Sequence, residues 1–107
     1  MAGDIWITKH ARWPVNYSLY NWVLEFLIDR IKDPETLADL ELIRDNNLGT
    51  VNADRYPPAG RAAIVAALRD ELVPDVEKRL PGDDWAEYRD ALRELAEMAA
   101  ADTPSGT

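Results

Sequence analysis

Apolar residues crowd the stretch 17–32. Leu19, Tyr20, Trp22, Val23, Leu24, Phe26, Leu27, Ile28 and Ile31 go most of the way round a helix, and only Glu25, Asp29 and Arg30 mark a polar side. A helix with that pattern is either central in its fold or shared with a partner. Asn16 stands where a helix N-cap belongs. Asp33-Pro34-Glu35 then opens a second helix with a cap, a proline at the first helical position and an acid in the first turn. Leu37, Leu40, Leu42 and Ile43 make its buried face. Asn46-Asn47-Leu48-Gly49 ends it, with Gly49 free to take the left-handed conformation of a C-terminal cap.

A loop covers 50–58. The third helix spans 59–80, with Ile64, Leu68, Leu72, Val76 and Leu80 along one face and alanines that let a neighbouring helix approach closely. Pro74 interrupts it and predicts a kink or a break. Pro81-Gly82 stops it. Asp83 or Asp84 caps a fourth helix, whose apolar stripe is Trp85, Tyr88, Leu92, Leu95 and Ala99. Residues 4–9, Asp-Ile-Trp-Ile-Thr-Lys, have the β-branched and aromatic character of a strand. A single strand has no partner, and Pro14 breaks the chain after it, so residues 1–15 are expected to be an extended arm packed on the helices. The pattern thus predicts an all-α domain of four helices over 1–101, with a Pro-kinked third helix and a disordered tail at 102–107.

Composition narrows the functional classes. The chain has 107 residues, 47% of them apolar, enough for one core. There is no Cys, which removes disulfides, thiol catalysis and zinc–thiolate sites and fits a reducing, cytoplasmic setting. No apolar run has the length of a membrane span, and the N-terminus lacks the apolar core of a secretory signal. Nine Arg against three Lys, with 15 Ala, suggest a GC-rich bacterial genome. The net charge is −8, and residues 21–107 alone carry −9. Such a surface repels phosphate backbones and anionic lipid and favours a basic protein.

Candidate chemistry is thin. His10 is the only histidine and has no Cys or second His with which to hold a metal. The two serines, Ser18 and Ser105, sit in no nucleophile elbow. Counted from Asp45, a calcium loop would need ligand oxygens, Gly and Glu where this chain has Gly49, Thr50 and Tyr56. Capping accounts for Asp83 and Asp84. Lys9-His10-Ala11-Arg12-Trp13 mixes basic and aromatic residues as some nucleic-acid sites do, but two fixed charges are a small footprint. An enzyme acting through Glu25 and Asp29 would need that pair buried. No catalytic residue, metal or cofactor is therefore expected.

Two surfaces remain as partner-binding candidates. One is the loop Asp54-Arg55-Tyr56, held by Pro57-Pro58, because Tyr and Arg are favoured interface anchors. The other is the acidic stripe Glu87, Asp90, Glu94 and Glu97, partly neutralised by Arg93. In being small, acidic and helical, the chain is similar in broad outline to the immunity proteins of colicin nucleases. Their interface carries a Tyr-Tyr-Pro element, which Tyr56-Pro57 resembles in part, while the helix spacing and the region after it depart from that family. The expectation is a bacterial protein-binding module, of the immunity or antitoxin kind, that occludes a basic partner. The alternative is a homodimer or larger homo-oligomer built on the apolar first helix.

Overall fold

The computed structural model describes residues 2–8, 11–79, 82 and 85–102. Two strands come first, β1 (Ala2–Thr8) and β2 (Ala11–Asn16). They are followed by α1 (Tyr17–Arg30), α2 (Pro34–Asp45), β3 (Thr50–Asn52) and a 3-10 turn at Ala53–Arg55. Three helices complete the chain: α3 (Pro58–Asp70), α4 (Leu72–Arg79) and α5 (Ala86–Asp102). The architecture is α+β, which corrects the all-α, four-helix expectation: among the described residues five helices accompany a three-stranded sheet of order β2-β1-β3.

The N-terminal segment is thus a hairpin and the centre of a sheet, not an arm. β1 pairs antiparallel with β2, matching Gly3 with Val15 and Ile5 with Trp13. It pairs parallel with β3, matching Ile5 with Val51. Alternation supplies the reason. Gly3, Ile5 and Ile7 are buried and Asp4, Trp6 and Thr8 are not. Trp13 is buried between exposed Arg12 and Pro14. Pro14 does not end the strand, because β2 is an edge strand, where a missing N–H can face outward. Between the Trp6–Arg12 and Thr8–Ala11 pairs the register slips by one residue, a bulge on β1. The Asp4 carboxylate ties the three strands together, accepting from Arg12 Nε at 2.8 Å and from Thr50 Oγ1 at 2.7 Å.

The core is continuous from sheet to helices. Ile5, Ile7 and Trp13 join Leu24, Leu27, Leu40, Ile64, Leu68, Leu72, Leu92 and Leu95 in one buried cluster. α1 is capped by Asn16, whose side chain accepts from Leu19 N–H. Most of its apolar circumference faces that cluster: Leu19, Tyr20, Val23, Leu24, Phe26 and Leu27 are all buried, and Tyr17, Trp22 and Ile28 are partly buried. Trp13 is fixed from the far side by its Nε1–H, which donates to the Ala91 carbonyl of α5 at 3.0 Å. Gly60 lets α3 meet α2, since a Cβ there would overlap the Thr36 hydroxyl.

The expected single third helix is two helices, broken at Glu71. A proline clashes with the carbonyl four residues before it, and the carbonyl four before Pro74 belongs to Asp70, the last residue of α3. The break therefore falls upstream of the proline itself. The left-handed residue after α2 is Asn47, at φ 54°, not Gly49. Trp85 is exposed, so the buried stripe of α5 begins at half-buried Tyr88. His10, Lys9, the Asp83 and Asp84 caps and residues 103–107 lie outside the described residues, and α5 itself runs through Asp102. No helix among the described residues is long and apolar enough to cross a membrane.

Candidate functional site

The loop singled out from sequence folds against α2 and forms a groove with it. Asn52 organises the turn: its side chain accepts from Asp54 N–H at 3.0 Å. Asp54 is then drawn sideways to Arg61 of α3 at 2.9 Å, and Arg61 also donates to the Ile7 carbonyl of β1 at 3.1 Å. That leaves Asp54 as a brace between loop, helix and sheet. Arg55 stays exposed. Tyr56 turns inward. Its ring is half-buried against the core, and its hydroxyl donates to Asp39 of α2 at 2.5 Å. Burial, and then that hydrogen bond to a carboxylate, push the Tyr56 phenol well above the ordinary tyrosine range. It stays a neutral donor at any physiological pH.

The result is an open concavity of about 390 Å³ lined by Glu35, Asp39, Leu42, Arg55, Tyr56 and Pro57 among others. Leu42 was expected in the buried face of α2; it is 56% exposed, the most exposed large apolar side chain among the described residues. It stands on the rim of this concavity. The patch thus combines an exposed aliphatic group, a fixed aromatic wall, a proline and charges of both signs, a composition suited to seating a protein side chain. Leu42 could not be assigned to this patch from sequence, because the helical period places it beside Ile43 and nothing local shows that the loop docks on α2.

The second candidate surface lies elsewhere. Glu87, Asp90, Glu94 and Glu97 are all exposed along α5. Arg93 pairs with Asp90 at 3.4 Å and with Glu77 of α4 at 3.5 Å. α5 packs chiefly on α3 and α4, and α2 on α1 and β3, so the structure does not merge the stripe and the groove into one site.

The residues weighed for chemistry are not gathered. Glu25 and Asp29 are both exposed, and Arg44 and Arg30 approach them at 3.8 and 3.3 Å. Asp45 pairs with the neighbouring Arg44 at 3.1 Å. Trp13 is buried, so its ring offers no stacking face to a base. No group of three or more His, Asp or Glu side chains able to hold a metal occurs among the described residues. Comparison with known protein families, with curated proteins and with solved structures finds no match for the chain.

Proposed function

We propose that this protein is an acidic docking module for a basic protein partner and performs no chemistry of its own. The observation that carries the reading is the groove between α2 and the loop at 52–57. It sets exposed Leu42 beside a tyrosine wall locked by Asp39, on a chain of net charge −8. In this reading Tyr56 does not project into the partner. It forms the fixed side of a socket, and the partner supplies the inserted side chain. The exposed acids of α5 serve encounter, since charges at or outside a rim govern approach more than retention. An immunity or antitoxin role against a basic toxin, in a bacterial cytoplasm, is the concrete form of the proposal.

A homo-oligomer built on α1 is the second reading; it has less apolar surface to use than the sequence pattern offers, because the core of the same chain buries most of that helix's apolar residues, Tyr17, Trp22 and Ile28 excepted. The test is capture of interacting proteins from the source cells by the parent chain, by Leu42→Asp and by Leu48→Asp. Leu48 is also exposed and is absent from the groove lining, so it controls for the added charge. The parent and Leu48→Asp should retain a basic protein that Leu42→Asp releases. Capture of acidic proteins, or retention indifferent to Leu42, would overturn the proposal.

A further inference from the structure

Three planar groups stand in a column along α1 at four-residue intervals: Arg30, Phe26 and Trp22. The Arg30 guanidinium carbon lies 4.1 Å from the centroid of the Phe26 ring. The Phe26 and Trp22 rings are stacked, 6.1 Å apart and 9° from parallel. Side chains four apart on a helix lie one above the other and lean toward its N-terminus, which is how the column forms. The next position in the column is Ser18. Its side chain is too short to cover an indole, so the column stops at Trp22, and an open concavity of about 410 Å³ runs alongside it, lined by Ser18, Asn21, Trp22, Glu25, Phe26 and Asp29 among others.

We propose that this notch receives an arginine side chain of a basic partner protein, its guanidinium on the Trp22 ring and its N–H groups on the Glu25 carboxylate. The inference rests on the docking reading above and adds a second contact to it. The molecule already contains the arrangement once. Arg30 lies on Phe26 while donating to Asp75 at 3.0 Å and approaching Asp29 at 3.3 Å and Glu71 at 3.5 Å. An arginine from outside would extend the same column by one step. Guanidinium suits the place better than ammonium because it is planar and stacks on an aromatic face while its edge N–H groups bind a carboxylate.

The acids of the notch are available. Glu25 is 51% exposed and meets Arg44 only at 3.8 Å, while Asp29, 71% exposed and beside Arg30 at 3.3 Å, adds negative field without contact. Arg79, the one cation in the lining, is drawn off to Asp75, at 3.3 Å. The surrounding charge adds attraction, since residues 21–107 carry −9.

The probe is a hexa-arginine peptide, with hexa-lysine beside it, titrated into the full chain while the indole N–H resonances are followed. The decisive variant is Ser18→Arg, which fills the notch from within. Ser18 is exposed, so the change leaves the core intact. Ala62→Arg, on an exposed position of α3, adds the same charge elsewhere. Hexa-arginine should bind saturably and move the Trp22 indole signal. Binding should weaken about tenfold in Ser18→Arg and in Glu25→Gln, a loss of the size expected for a desolvated cation–π and charge contact. It should stay within about twofold in Ala62→Arg, where only a screened surface charge changes. Equal losses in Ser18→Arg and Ala62→Arg, or hexa-lysine binding as tightly as hexa-arginine, would mean general electrostatics and overturn the notch. Loss in Leu42→Asp with none in Ser18→Arg would also overturn it and leave the α2 groove standing.

Discussion

Thr36 is the only buried polar side chain among the described residues, and its neighbour Asp33 explains how it is tolerated. The Thr36 hydroxyl donates to Asp33 Oδ2 at 2.6 Å and the Thr36 N–H to the same oxygen at 3.0 Å. These two bonds, the hydroxyl's first, hold the Asp33 carboxyl below its ordinary value. Asp4 is also lowered: burial, the largest influence, works upward, but the hydrogen bonds from Thr50 and Arg12 together with the charge of Arg12 outweigh it. A carboxyl depressed in the folded state contributes stability above its unfolded pKa of about 4. That contribution is lost as pH falls through the folded value. Stability should therefore decline on acidification from about pH 4.5 downward. Asn at a cap accepts the same bonds without titrating. Asp33→Asn should thus fold normally and show a shallower acid decline, measured by urea unfolding between pH 3 and 7. An unchanged slope would show that Asp33 does not carry the dependence. The caps at Asn16 and Asp33 were legible in sequence because capping is local. The inward turn of Tyr56 was not, because its partner Asp39 lies seventeen residues away and only the tertiary fold brings them together.

At the scale of elements, legibility follows length and period. α1 and α2 were readable because each holds three or more turns of pattern between recognisable caps. β3 has three residues, too few for any period, and so Thr50, Val51 and Asn52 read as loop. Without β3 and with Pro14 taken as a breaker, the strand at Ile5 and Ile7 had no visible partner, and the whole sheet vanished into an arm. Yet Ala11-Arg12-Trp13-Pro14-Val15-Asn16 alternates as an edge strand should, with Trp13 inward and Arg12 and Pro14 outward. The α3 face tests the helical part of the core. Leu68 is fully buried, and α3 packs chiefly on α5. Leu68→Ala should cost about 2–5 kcal/mol by chemical denaturation, the range for a large-to-small change in a packed core. A loss below about 0.5 kcal/mol would place that face outside the core.

At the scale of the whole molecule, charge and shape are divided between surfaces. The groove beside Leu42 and Tyr56 has contour but little net charge: Glu35 and Asp39 face Arg55 across it. The face of α5 is led by charge, with Glu87, Asp90, Glu94 and Glu97 all exposed; at its Glu97 end Val73, Ala96 and Ala100 line a smaller concavity of about 320 Å³. The two should therefore act on different halves of the binding rate law. A long-range field changes how often a basic partner arrives, and salt erases it beyond a Debye length of about 8–10 Å. A socket changes how long the partner stays. Glu87→Lys combined with Glu94→Lys reverses charge at two exposed positions without touching the core. It should slow association with the captured basic protein about tenfold at low ionic strength and leave dissociation within about twofold. At 0.5 M salt, where the Debye length shrinks to about 4–5 Å, the parent and the double variant should associate at nearly the same rate. Surface-immobilised partner at two salt concentrations gives both rates directly. If the double variant instead accelerates dissociation, the α5 acids lie inside the interface, and the docking surface includes the stripe as well as the groove.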